Sequence, residues 1–423
     1  MAKITYITAG AGGMYCGSCI RDNALAGELM SRGWDVILLP LYTPIRTDEE
    51  DRSVDQVLFG GVNVYLQQKI PLFRHLPGFF DRWLDNPKFI KRVASGNMTV
   101  DASQLGAMTL SMVRGEDGFQ KREVKKLVHW LQHTAHPELI CLTNLLVGGS
   151  IPALKRDLKV PVLVTLQGDD VFLDELVEPW KSKVLNEMRK LAQQADGFIT
   201  FSAYYRDRMS ELLEVDKEKF HLTPLGIDTS SYDPIHEHRS ATPGGKRIGY
   251  FARICPEKGF DILVDAFVEL AKRNETFHLS AGGWLSAKDE SFFNEQVVKI
   301  KNAGLSDLFE YVGSPDHQGK LEFFKKVDVF CVPARFIEPK GLYLLEAMTC
   351  GIPVVSPAKG AFPEIVNASG GGELFESESI SDLVEKLERF DPQKGAMGRD
   401  WVKGHGDQAA MATATEEIFR KFL

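Results

Sequence analysis

Four charged residues carry the chemistry that this chain offers most plainly. Glu338 and Glu346 stand eight positions apart in EPKGLYLLE (338–346), separated by a proline, a glycine and an apolar run. Arg253 and Lys258 fall in the Pro/Gly loop of KRIGYFARICPEKG (246–259). Two such cations can clamp a diphosphate, the arginine as a planar fork and the lysine as a mobile point charge. A carboxylate beside an anion repels it, but a carboxylate accepts hydrogen bonds from hydroxyls. A ligand with both a phosphate and many hydroxyls, a nucleotide sugar, satisfies both pairs. Each pair taken alone also suits an ordinary solvated surface. What singles out Glu338 is its place in a Pro/Gly turn, where loop side chains are aimed rather than merely tolerated.

The flanking segments say how these residues are held. VDVFCVPA (327–334) reads as a buried strand, GLYLLEAMTC with Gly351 as a short helix with a glycine stop, and IPVVS (352–356) as the next strand. This βαβ unit puts the acidic pair at the carboxyl end of a strand, where open α/β sheets bind ligands. The turn also offers unpaired amides and the positive end of a helix dipole. Arg253 and Lys258 likewise follow the strand GYFAR and precede the amphipathic helix DILVDAFVELAKR.

The pairing of R-x-x-x-x-K-G in GYFARICPEKG with E-x-x-G-x-x-x-x-E about eighty residues later resembles the donor half of the retaining GT-B glycosyltransferases of family 4. The likeness covers roughly 245–405 and extends more weakly through most of the remainder. The order LPLY, GVNVYL, PLFR faintly resembles the starch and glycogen synthase family. By this resemblance Arg253 and Lys258 hold the donor diphosphate and Glu338 meets hydroxyls of the transferred sugar. Lys340, Gly341 and Leu342 present backbone amides to the sugar or phosphate, and Glu346 binds the ribose hydroxyls. Gly12 and Gly13 resemble the glycine pair that faces the donor from the other domain.

The strand and helix patterns extend the expectation to the whole chain. KITYITA, WDVILLPLY, GVNVYLQ (61–67), ELICLTN, VPVLVTLQ and GFITFS read as strands separated by helices. The alternation restarts with GYFAR, HLSAGG, FEYVG, VDVFCVPA and PVVS. Such alternation implies parallel sheets covered by helices. The polar DPIHEHRSATPGGK (233–246) is the expected linker. The expectation is an α/β chain with the GT-B fold, two doubly wound Rossmann-like domains facing a cleft. An acceptor-side domain would cover 1–238 with an insertion at about 68–136, and a donor domain 246–405. A last helix in 406–423 would cross back to the first domain. The aromatic, basic LFRHLPGFFDRWLDNPKFIKRV in the insertion suits a packed helical insertion, an acceptor lid or a peripheral membrane contact, its prolines weighing against the last.

Length and composition agree with two ordinary domains. Among 423 residues, 50 Lys and Arg stand against 58 Asp and Glu, a net charge of −8, so nucleic acid is not an expected partner. Screening within about 8 Å leaves donor binding to local cations rather than to the global charge. Six cysteines in this length are no disulfide scaffold. The opening MAKITYITAGAGG enters a strand at once, and no run nears eighteen apolar residues, so a cytoplasmic location is the expectation.

Other candidates are less specific. AGAGGMYCGSC (9–19) departs from the dinucleotide fingerprint, because Tyr15 stands where the third glycine belongs and no acid closes the second strand. Cys16 and Cys19 make C-x-x-C at a helix start, which suits packing, acceptor contact or a redox role; zinc would need more ligands. Gln167 falls where many family relatives carry a histidine near the sugar's primary hydroxyl. Asp169 and Asp170 could contact acceptor hydroxyls or cap the next helix. The reaction implied is transfer of a sugar from a UDP-, GDP- or ADP-sugar to a saccharide or other hydroxyl, with retention. No cofactor, no metal and no dedicated general base are expected. Other readings are a glucan polymerase, a nucleotide-sugar epimerase, an inactive nucleotide-sugar sensor and an NAD-dependent oxidoreductase.

Overall fold

The computed structural model describes residues 2–10, 17–45, 47, 50–54, 57–59, 68, 102–233, 235, 246–273 and 277–423. The expected strand at 61–67, the aromatic basic stretch at 72–93, Gly12, Gly13 and Cys16 lie outside them. The chain divides into two compact units, Met1–Pro224 with Met411–Leu423, and Leu225–Ala410.

The first unit is built on six parallel strands. They are β1 (Lys3–Thr8), β2 (Asp35–Pro40), β3 (Leu139–Leu142), β4 (Val162–Thr165), β5 (Gly197–Thr200) and β6 (Phe220–Leu222), in the order β2-β1-β3-β4-β5-β6. The central strands β3 (LICL) and β4 (VLVT) are near-continuous apolar runs, as a sheet covered on both faces requires, and are buried throughout. Helix α1 (Gly17–Ser31) connects β1 to β2, and Gly33 turns the chain at φ +86° before β2 begins. Three further helices of this unit are α2 (Ala102–Val113), α3 (Lys121–Trp130) and α4 (Asp169–Asp174).

The second unit repeats the plan. Its strands are β7 (Lys246–Phe251), β8 (Phe277–Gly282), β9 (Phe309–Tyr311), β10 (Val329–Cys331), β11 (Val354–Pro357) and β12 (Gly372–Phe375), all parallel, in the order β12-β11-β10-β7-β8-β9. Helix α5 (Phe260–Lys272) follows β7, α6 (His317–Lys325) precedes β10, α7 (Leu342–Thr349) follows it, and α8 (Phe362–Ser369) follows β11. Because β7 pairs with β10, the winding direction reverses there, and the loops leaving these two strands lie side by side.

Two features depart from the sequence expectation. The edge strands β6 and β12 were not anticipated. Each is three or four residues long, and β6 shows only one fully buried residue. The boundary between units falls at Pro224–Leu225, before the expected linker. Tyr232 and Ile235 are buried, and Asp233 pairs with Arg399 at 2.7 Å and Lys403 at 2.8 Å, which fastens this stretch to the second unit. The last helix, α9 (Gln408–Phe422), lends Met411, Ala412, Ile418 and Phe419 to the core of the first unit, with Phe419 edge-on to Trp34.

Candidate functional site

The adjacent loops after β7 and β10 carry the residues singled out from the sequence. A tight 3-10 turn, Pro256–Lys258, ends at Gly259 with φ +71°. A Cβ at Gly259 would overlap the carbonyl of Pro333, so only glycine lets the β7 loop lie against the end of β10. Lys258 thereby reaches Glu338, with Nζ 2.8 Å from Oε2. The hydroxyl of Tyr343 donates to the same oxygen at 3.1 Å. The ammonium also sits 4.4 Å from the centroid of Phe336 and 4.8 Å from that of Tyr343. Ala361 donates its amide to the Glu338 carbonyl at 2.9 Å, so the loop after β11 fixes the backbone from the other side.

Electrostatics follow from this packing. Burial alone would raise the Glu338 carboxyl. The charge and hydrogen bond of Lys258, aided by Lys340 and Tyr343, outweigh it and hold the group below its ordinary value. Among the described residues nothing donates to Glu338 Oε1, which is left as an acceptor. Arg253 is exposed and makes no side-chain hydrogen bond or ion pair among the described residues, while its carbonyl accepts from Tyr250. The two cations therefore do not act as a preformed pair: one is committed to Glu338 and the other stands in solvent.

One turn further on, Gly341 takes φ +82° as the N-cap of α7, so Leu342 opens the helix and its first amides lack a carbonyl one turn back. Lys340 is buried just before it. Glu346, also buried, repeats the arrangement of Glu338. Lys320 Nζ donates to Oε1 at 2.9 Å and the Tyr232 hydroxyl to the same atom at 3.3 Å, leaving Oε2 without a donor among the described residues. Sequence reasoning missed Lys320, Tyr232 and Tyr343. Lys320 is one of several lysines in HQGKLEFFKK, Tyr232 borders the expected linker, and Tyr343 reads as core.

In the first unit the candidates turn inward. The Gln167 amide donates to Asp22 Oδ1 at 3.0 Å and to Thr143 Oγ1 at 3.0 Å. Asp22 itself pairs with fully buried Arg21 at 3.0 Å, and Arg21 reaches the Tyr6 hydroxyl at 2.6 Å. Asp169 and Asp170 do not cap α4, whose N-cap is Gly168. Asp169 accepts instead from the amides of Leu145 at 2.6 Å and Gln167 at 3.1 Å, and burial raises its carboxyl to about 7. With an amide on each oxygen, Asp169 tethers the backbone at Leu145 and Gln167. Asp170 accepts from the Tyr205 hydroxyl at 2.8 Å. Cys19 is buried, with its sulfur 4.0 Å from Thr8 Oγ1. His129 on α3 and His133 in the π-helical turn after it stand four apart, a spacing that can bind metal, and their rings lie tilted against one another with centroids 4.1 Å apart. Among the described residues no group of three or more His, Cys, Asp or Glu is placed to hold a metal ion, and no helix is long and apolar enough to cross a membrane.

Comparison with known proteins agrees with this architecture. The family model for glycosyl transferases group 1 matches 233–395, and that for a glycosyl transferase 4-like domain matches 22–226. A curated relative, the lipopolysaccharide core biosynthesis mannosyltransferase LpsB of Rhizobium meliloti, is 32% identical over 39% of this chain and 48% of its own length. The chain spans about half the length of the curated relatives it matches. Among solved structures, sucrose-phosphate synthase from Thermosynechococcus elongatus superposes with a TM-score of 0.71 at 17% identity, over 99% of this chain and 98% of that one. Anabaena HepE in complex with UDP gives a TM-score of 0.68 at 16% identity, over 99% and 100%. Two six-stranded parallel sheets and these matches lead to one assignment: the chain has the GT-B fold and is built of a glycosyl transferase 4-like domain followed by a glycosyl transferases group 1 domain.

Proposed function

We propose that the enzyme transfers a hexosyl residue from a nucleotide-diphosphate sugar to a hydroxyl of a saccharide acceptor, with retention of configuration and without a metal. The observation that carries this reading is the contact between Lys258, a cation suited to phosphate, and Glu338, an acid suited to a sugar hydroxyl. An ammonium has three donors. One is given to Glu338, and the other two can meet oxygens of the departing diphosphate. Arg253, exposed on the same loop, closes on the diphosphate when donor binds. Glu338 Oε1 accepts from a hydroxyl of the transferred sugar, while Lys340, Gly341 and Leu342 offer their amides and Glu346 receives the ribose.

Cleavage of the bond between the anomeric carbon and the diphosphate puts negative charge on the leaving oxygen, where Lys258 and Arg253 stabilise it. The acceptor oxygen bonds to the same face of the anomeric carbon. Its proton passes to the departing phosphate oxygen, so no separate base is required. The transferred sugar is proposed as a hexose because LpsB is named a mannosyltransferase. The test is incubation with GDP-mannose, UDP-glucose and ADP-glucose and a panel of saccharides, following nucleoside diphosphate release and product formation. Binding without release from any donor would make the protein a sensor and overturn the reading.

A further inference from the structure

The two acids of the site share one design. In each, a lysine and a tyrosine converge on one carboxylate oxygen. Lys258 and Tyr343 take Glu338 Oε2, and Lys320 and Tyr232 take Glu346 Oε1. Lys320 lies on α6, twenty-six positions before Glu346, and both side chains are close to fully buried, 8% and 11% exposed. Burying an ammonium and a carboxylate costs several kcal/mol per ion, and in water-accessible sites such pairs contribute little. What the pair does supply is orientation. With Oε1 held by two donors, the carboxylate is restrained, and Oε2 is the oxygen left without a donor among the described residues.

We propose that Lys320 is a positioning residue that fixes Glu346 so that a single oxygen reads one ribose hydroxyl of the donor nucleotide, making ribonucleotide selectivity depend on the α6 lysine. This rests on the proposed role of Glu346. Lys320 acts through the carboxylate and not on the nucleotide. Removing it frees Glu346 to rotate, so the hydroxyl loses an aimed partner while the diphosphate contacts stay as they are. Because Oε1 is occupied, only one of the two ribose hydroxyls gains from Glu346.

The test is calorimetry on the full chain. UDP, GDP and ADP are titrated first, and the tightest binder is compared with its 2′-deoxy and 3′-deoxy counterparts. In the native enzyme, removing one hydroxyl should weaken binding about tenfold and removing the other should change little. Lys320→Met should weaken the ribonucleotide about tenfold and leave the sensitive deoxy analogue unchanged, collapsing the ratio to near one. Lys320→Arg should restore most of it, and Tyr232→Phe should lower the ratio partway. In a Glu346→Gln background, Lys320→Met should have no further effect.

Equal weakening of ribo and deoxy forms by Lys320→Met, or no change in either, would overturn the proposal. So would a further loss in the Glu346→Gln background, which would mean direct contact with the nucleotide. If Lys320→Met does not fold, Lys320→Arg and Tyr232→Phe decide the matter by the same ratio. If Glu346→Gln itself leaves the ratio intact, or if none of the three nucleotides binds, the ribose reading of Glu346 fails first and this proposal falls with it.

Discussion

Lys258 Nζ lies 2.8 Å from Glu338 Oε2 across eighty positions of sequence. The contact exists because β7 and β10 are neighbours in the sheet, so the loops leaving them converge. A residue proposed for the diphosphate and one proposed for the sugar thus form a single charged unit, whereas Arg253 on the same loop stands in solvent.

That difference separates the two cations experimentally. Lys258→Ala leaves a buried carboxylate without its counter-charge, which typically costs about 3 kcal/mol of stability. It should therefore lower both the melting temperature and, by about a hundredfold or more, turnover. Arg253→Ala should lower turnover and nucleoside diphosphate affinity with an unchanged melting temperature. Thermal unfolding beside steady-state kinetics checks both. Wild-type kinetics in both variants would remove the clamp.

The acids should divide by ligand. Glu346→Ala should weaken binding of free nucleoside diphosphate by about tenfold, the value of one good hydrogen bond to a charged group. Glu338→Ala should spare free nucleotide and impair transfer. Calorimetry showing the opposite pattern would reverse the assignment.

Asp169 makes a prediction about pH. The folded protein keeps its proton up to about 7, and the unfolded chain releases it near 3.9. Unfolding therefore releases a proton between those values, and the stability contributed by this group declines as pH rises through the window. Urea unfolding of the native protein and of Asp169→Asn at pH 5 and pH 8 should show the native protein relatively more stable at pH 5. The difference should be at most about 3 kcal/mol, from the two units between pH 5 and about 7 at about 1.4 each. A difference that does not move with pH would contradict the buried, proton-holding carboxyl.

Stereochemistry tests the proposed reaction. An α-linked donor should give an α-linked first product, read from the anomeric proton coupling by NMR, and a chelator should leave the rate unchanged. An inverting enzyme needs a base placed to deprotonate the acceptor opposite the leaving group. A β-linked product would exclude same-face attack, and loss of activity in chelator would exclude the metal-free mechanism.

How much of this was legible depended on whether the signal was local. Apolar runs such as VLVT and VFC announced interior strands, because a strand buried on both faces needs no partner to be recognised. The glycine after Lys258 and the glycine before Leu342 marked the turns that aim the site. The edge strands FHL and GELF carry too few buried residues to stand out. Lys320 and Tyr232 were invisible for a different reason. Their meaning comes from an oxygen on another helix, and HQGKLEFFKK by itself reads as a solvated helix with spare lysines. Gln167 was found, but its bond to Asp22 was not foreseen, since nothing local shows that Asp22 would draw its amide inward.

The final helix has a consequence for how the protein is made. Trp34, Leu139 and Ile199 share their core with Met411, Ile418 and Phe419, which leave the ribosome only after the whole of 225–410. The first unit begins folding first but cannot close its core until last. During translation it waits with an apolar face uncovered, and a fragment ending at 224 would keep that face permanently. Independent production of the first half requires grafting 411–423 onto it.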